Sequence, residues 1–296
     1  MAKLKEVKLK IGAVKKTKQI TKAMNMVAAS RLRGAQSKME AFRPYSTKFA
    51  EVLGSLAQRA GENANPLIVP RDNVKNIHLV LCTSDRGLCG GFNANLVSKA
   101  ESFFNEKNKE GISVSFTNFG KKGRDWCFNK KLQIANSHVG VVGAKFGFNV
   151  AMSSGKQLIE SFISGGYDEV YVLYSEFVSM ARQVPILKKI IPIPPIEVDK
   201  SKLEDKTYMP EHICEPSAGE LLSELLPRSI YVQLHRALLE TSTSEHAARM
   251  AAMDNATKAC NDMINSLTLA YNKARQSAIT AELMDIVGGA EALVRG

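Results

Sequence analysis

The stretch TSDRGLCGGFNANL, residues 83–96, follows the apolar run NIHLVLC and packs an acid, a base, a thiol and three glycines between Asp85 and Gly91. Glycines where a strand passes into a helix can let backbone N–H groups hold a phosphate. The spacing here does not support that use. A dinucleotide fingerprint needs G-x-G-x-x-G, and Cys89 stands where the second glycine belongs. A P-loop needs G-x-x-x-x-G-K-[ST]; around Gly155-Lys156 the first glycine position is Val150 and the hydroxyl position is Gln157. GVVGAKFG (140–147) is spaced wrongly for either motif. Asp85 and Arg86 could be an acid with its own charge partner, but the simpler reading is an acid capping the turn beside a solvated base.

Other chemistry finds little footing. The five cysteines (82, 89, 127, 214, 260) are scattered with no C-x-x-C pair, which speaks against a disulfide framework and a zinc site. The histidines at 78, 138, 212, 235 and 246 lack metal-ligand spacing. No G-x-S-x-G occurs. The expectation is therefore no catalytic residue, no cofactor and no metal. The net charge of +11 is concentrated at the start: ten lysines and arginines from Lys3 to Arg33 face one acid, Glu6. Such an arm suits an acidic protein partner, an anionic membrane surface or nucleic acid. Nucleic acid is the weakest of these, because no aromatic for base stacking precedes Phe42. No run approaches the roughly 20 apolar residues that span a bilayer. The N-terminus also lacks the apolar core and cleavage site of a signal peptide, so a cytoplasmic protein starting near Met1 is expected.

The elements that must position these residues are unequal. From Lys3 to about Arg59, apolar residues at Leu4, Val7, Ile11, Val14, Met24, Val27, Ala35, Met39, Phe42, Phe49, Val52 and Leu56 step by three and four, or multiples of these. This is one long helix with one apolar seam. From about Ala218 to Val294 a second helix repeats the pattern at Met253, Ala256, Cys260, Met263, Leu267, Ala274 and Ala278. Between them, residues 76–82, 113–119 and 169–178 read as strands, 94–110 and 149–164 as helices, and QVPILKKIIPIPPIEV as an edge strand. The fold class is thus α/β: a long antiparallel coiled coil of the terminal helices (1–60 and 217–296) with a small Rossmann-like α/β domain over 70–200. A globule of this length is roughly 50 Å across, whereas the helices would run about 80 and 105 Å. They are expected to project as a pair, with Val14 to Met24 beside Leu267 to Ala278. The apolar end AITAELMDIVGGAEALV would then need a partner to cover it.

Three stretches together carry a family resemblance: KKTKQITKAMNMVAASRLRGAQ (15–36), SDRGLCGGFN (84–93) and YNKARQSAITAELMDIVGGAEAL (271–293). The chain resembles, over its whole length, the gamma subunit of F-type ATP synthase. The resemblance implies a non-catalytic central shaft, one copy per complex. Its coiled coil enters the hexamer of alpha and beta subunits, and its α/β domain grips the epsilon subunit and the ring of c subunits. The complex would lie at the cytoplasmic face of a bacterial inner membrane.

The resemblance also implies contacts with the beta subunits. Arg249, Gln276, Thr280 and Glu282 on the second helix match the family's polar contact positions, with Met24, Arg31 and Arg33 on the first. In the glycine loop, Arg86 would face the acidic lever of the beta subunits and Cys89 would lie at the edge of that contact. The loop's helix is expected to begin near Asn93 or Asn95 with an asparagine cap. Tyr208 to Glu215 departs from the family's aromatic pattern, which bears on the c-ring contact. The chloroplast insertion with its cysteine pair is missing, which points to a bacterial chain without a thiol switch. The alternative from another class is a nucleotide-binding α/β enzyme with a coiled-coil arm.

Overall fold

A computed structural model of the chain describes residues 2–60, 65–144, 146–194 and 217–295. The elements in chain order are α1 (Ala2–Ala60), β1 (Asn76–Cys82), α2 (Phe92–Lys109), β2 (Ser113–Phe119), α3 (Lys121–Asn129), β3 (Ile134–His138), α4 (Phe148–Ile163), β4 (Glu169–Phe177), β5 (Gln183–Ile191) and α5 (Ala218–Arg295). Pro44 and Pro227 sit inside the two long helices without ending them. The chain divides into two compact units: residues 30–248, and the helix segments 1–29 with 249–296. Tyr208 to Glu215, Cys214 and the end of the proline-rich exit lie outside the described residues.

The larger unit is built on a five-stranded sheet in the order β3-β2-β1-β4-β5. The first four strands are parallel, and β5 returns antiparallel to β4. Both faces are covered. Val80, Cys82, Val170, Val172 and Ile190 pack with Leu53 and Leu56 of α1, Leu158 and Phe162 of α4, and Leu226, Ile230 and Leu234 of α5. Ile77, Leu79, Leu81 and Phe116 pack with Leu96, Ala100 and Phe103 of α2 and Cys127 of α3. A strand buried on two sides needs apolar residues on both, which is why β1 reads as a continuous run and not an alternation.

Two elements escape the sequence reading. The strand β3, IANSH, is mostly exposed and polar, so it carries no apolar period. The helix α3 is nine residues with a glycine in its first turn, too short to show a seam. Gly155 of α4 lies against α5: a Cβ there would come within 2.4 Å of the Tyr231 ring.

In the smaller unit the two helix segments run antiparallel. Thr21 and Thr257 share a hydroxyl–hydroxyl hydrogen bond of 2.8 Å, and Asn25 donates its amide to the Met250 carbonyl at 2.8 Å. Carried along both helices, this register sets Val14 opposite Ile264 and Val7 opposite Tyr271, all half-buried. The expected pairing of Val14 to Met24 with Leu267 to Ala278 is therefore displaced by about four turns, at 3.6 residues per turn. An apolar repeat matches itself at several offsets, and here polar pairs select one. The seam shifts as well. Val27 and Met263, expected inside, are 54% and 53% exposed, while Thr21, Ala28 and Ile264 take the inner positions. Beyond Ala278, Leu283, Met284, Ile286 and Val287 are all exposed.

In the middle of β1, His78 is fully buried. Its Nδ1 meets the Ser115 hydroxyl at 2.7 Å, its Nε2 meets Thr117 Oγ1 at 2.8 Å, and its ring stacks on Tyr167. Burial pushes its pKa down to about 3. The unfolded histidine titrates near 6.5, so below that pH unfolded chains take up a proton that the native imidazole refuses. This group's contribution to stability is complete above pH 6.5. It falls by about 1.4 kcal/mol per pH unit as the pH drops toward the folded value. Urea midpoints measured between pH 6.5 and 4.5 should fall more steeply for the native chain than for His78→Asn. Equal slopes would show that His78 is not buried neutral.

Candidate functional site

The glycine loop lies at the carboxyl ends of β1 and β2, where doubly wound sheets commonly bind ligands. Here its polar groups close on one another. Ser84, fully buried, donates its N–H to Asn93 Oδ1 at 3.0 Å. Asn93 Nδ2 donates to Ser84 Oγ at 2.7 Å and to Cys89 Sγ at 3.1 Å. The helix α2 begins at Phe92 with Gly91 before it and no side-chain cap. The expected asparagine cap is thus corrected: Asn93 turns back to tie the loop, and the helix starts earlier than Asn93 or Asn95.

Asp85 resolves the reading left open in the sequence. Its Oδ1 accepts the N–H of Lys121 at 3.0 Å and of Gly140 at 2.9 Å. It is a capping acid, but it caps α3 and the turn after β3, not its own turn. The N-terminus of α3 has its other amides engaged too: Lys122 donates to the Ser84 carbonyl and Gly123 to Thr83 Oγ1. At Gly120, φ is 103° and a Cβ would come within 2.2 Å of the Thr83 carbonyl oxygen, so only glycine lets α3 approach β1 this closely. The amides at the start of α3 thus already hold protein acceptors.

The loop turns an apolar side chain outward. Leu88 has φ of 63° and is 64% exposed. A left-handed leucine costs about 1–2 kcal/mol, and such strain collects where a surface has a task. Arg86 beside it is exposed, whereas Cys89 is only 2% exposed and packs with Phe92 and Leu96. The thiol expected at the edge of a contact is inside the loop, because the Asn93 amide and the core below α2 enclose it.

The other expected contact residues lie on the long helices. Arg31 and Arg33 are exposed on α1 in the larger unit. In the smaller unit, Met24 is half-buried and Arg249 is 9% exposed. Each neighbours in sequence one partner of the Asn25–Met250 hydrogen bond. Gln276, Thr280 and Glu282 are exposed further along α5, with the Thr280 hydroxyl donating to the Gln276 carbonyl at 3.0 Å. The basic arm is solvated; its Lys10–Glu6 pair has both side chains more than 60% exposed and contributes little. Among the described residues, no group of His, Cys, Asp and Glu could hold a metal ion, and no helix is long and apolar enough to cross a membrane.

Sequence reasoning missed the most enclosed polar cluster of the chain. Along α5 every residue from Ala237 to Ala248 is buried, including Glu240, Thr241, Ser242, Thr243, Ser244, Glu245 and His246. The run ETSTSEH was itself the signal. Small hydroxyl residues are poor fillers of a solvated helix face and good ones where neighbours crowd a helix from all sides.

A small, mainly parallel five-stranded sheet together with terminal helices of 59 and 78 residues defines an α/β protein with a coiled-coil part. Residues 3–293 match the family model described as ATP synthase. The chain is 63% identical to the ATP synthase gamma chain of Desulfosudis oleivorans and 57% identical to that of Desulforapulum autotrophicum, with at least 99% of both chains covered in each case. Among solved structures, it matches a chain of the central stalk and c-ring of Tetrahymena thermophila mitochondrial ATP synthase. That match has a TM-score of 0.60 and 25% identity, covering 80% of this chain and 99% of that one. A chain of the Euglena gracilis mitochondrial enzyme shares the fold at TM-score 0.66 and 18% identity, covering 99% and 95%. The chain belongs to the ATP synthase gamma chain family. It is a central-stalk subunit, not the subunit that carries catalysis.

Replacing Asn93 with alanine removes the acceptor of the buried Ser84 N–H and one partner of its hydroxyl, which keeps its bond to the Arg86 carbonyl. It should cost about 2 kcal/mol of stability and expose the loop to protease, with α5 unaffected. Circular dichroism melts combined with limited proteolysis check this; an unchanged melt and cleavage pattern would show that Asn93 does not close the loop.

Proposed function

We propose that the chain is the rotating shaft that couples ion flow through a membrane ring of c subunits to ATP synthesis or hydrolysis at the beta subunits. It stands as one copy inside the hexamer of alpha and beta subunits, with the epsilon subunit at its α/β domain, at the cytoplasmic face of a bacterial inner membrane. The observation that carries this reading is the exposed apolar run Ile279, Leu283, Met284, Ile286 and Val287 on α5. A surface of that kind is a partner surface, and the helix pair it ends also exposes Leu9, Ile20, Met26 and Leu269.

One asymmetric chain cannot touch three identical subunits in the same way, so closed threefold symmetry is broken wherever it sits. Each beta subunit then meets a different face, and differential contact free energy shifts the populations of its conformations. In this reading Met24, Arg31, Arg33, Arg249, Gln276, Thr280 and Glu282 supply the polar and apolar contacts along the helices. Arg86 and Leu88 offer the loop's contact to the acidic lever of the beta subunits. Cys89 supports that loop from within.

In the complete complex, Leu88→Cys paired with an engineered cysteine in the beta lever should form a disulfide that stops ATP-driven turnover. Reductant should restore it. Full turnover with the bond demonstrably formed would mean that the loop does not move past the beta subunits, and the shaft reading would fall.

A further inference from the structure

The most enclosed charge in the larger unit is Glu240. Its side chain has no solvent exposure, yet three elements converge on it. Oε1 accepts a hydrogen bond from Arg43 Nη2 of α1 at 3.2 Å and lies 3.9 Å from Arg236 Nε, one turn earlier on α5. Oε2 accepts the backbone N–H of Phe177, the last residue of β4, at 3.0 Å. One turn further along α5, the Ser244 hydroxyl donates to the Ser175 carbonyl of β4 at 3.1 Å.

Stability alone is a poor reason for this arrangement. Taking a carboxylate out of water is costly, and a well-packed apolar side chain of similar volume often serves stability equally well. What an apolar side chain lacks is direction. Hydrophobic contact is nearly indifferent to small slips of one surface over another, whereas a hydrogen bond weakens steeply outside a narrow range of distance and angle. A slip of α5 by one residue along its axis, about 1.5 Å, would strain the Glu240–Phe177 and Ser244–Ser175 bonds together. A slip of α1 would strain the Arg43–Glu240 bond in the same way.

We propose that Glu240 is a positioning residue of the central stalk: the joint that locks both long helices to the end of β4, so that torque applied to the sheet domain reaches the helices without slip. The proposal rests on the shaft reading above and adds to it the place where force crosses from sheet to helix. Apolar packing holds the unit together; the carboxylate holds its register.

The test uses complete ATP synthase in inverted membrane vesicles, reading protons pumped per ATP hydrolysed. A variant that merely destabilises the chain lowers the amount of intact complex but leaves this ratio unchanged. Glu240→Leu should lower the ratio several-fold. Glu240→Gln, whose amide oxygen can still accept the Phe177 N–H, should recover most of it. Should the leucine variant not assemble, Arg43→Gln and Ser244→Ala each remove one arm of the joint from a milder position, and each should lower the ratio by a smaller factor. An unchanged ratio in assembled Glu240→Leu, or in both Arg43→Gln and Ser244→Ala, overturns the proposal. Failure of the shaft reading looks different, because complex depleted of this chain would then still pump protons on ATP addition.

Discussion

A helix crowded on every side over twelve residues sets the terms for everything around it. From Ala237 to Ala248 α5 has no solvated face, so its side chains must be small, or paired, or both. The stretch meets that demand with hydroxyls that bond to nearby carbonyls, as Thr243 does to Leu239, and with a carboxylate shared among two arginines and a strand end. The sheet, α1 and α4 are arranged around this core segment. Gly155 leaves the space that Tyr231 occupies, and His235 sits edge-on to Phe42, Phe146 and Phe148. Burial drives the His235 pKa down to about 4, with Lys38 adding to the shift; a neutral ring is what such an aromatic nest accepts.

Much of this was legible in the sequence where one physical effect dominated. Fifty and more residues at helical spacing read as a long helix, and NIHLVLC reads as a strand. The central strands and the α/β class followed. What stayed hidden was set by tertiary choice. The register of the helix pair hangs on Thr21, Asn25 and Thr257, and the apolar repeat is degenerate with respect to it. Val27 and Met263 looked like seam residues because they are apolar, yet threonine and alanine fit the close approach better.

The glycine loop shows the same division. Its spacings match no phosphate-binding motif, and the amides of Ser84, Lys121, Lys122 and Gly123 are engaged by acceptors within the protein. The burial of Cys89 was not legible, because a thiol in a glycine-rich turn reads as exposed until Asn93 is seen folding back over it. Leu88 carried no sequence signal at all. Its left-handed backbone and outward side chain emerge only once the loop is closed.

The two ends of the sheet have a consequence for the chain before it meets any partner. On one side, among the described residues, β5 pairs only with β4, and its outer edge is a row of backbone groups to which a further strand could add. Pro185 contributes no N–H to that row, and Lys188 stands exposed on it, so two copies approaching edge to edge would meet a gap in the ladder and like charge. On the other side, β3 is five residues long and mostly polar, too short to template a stable addition. Both edges therefore discourage a second copy from adding a strand to the sheet.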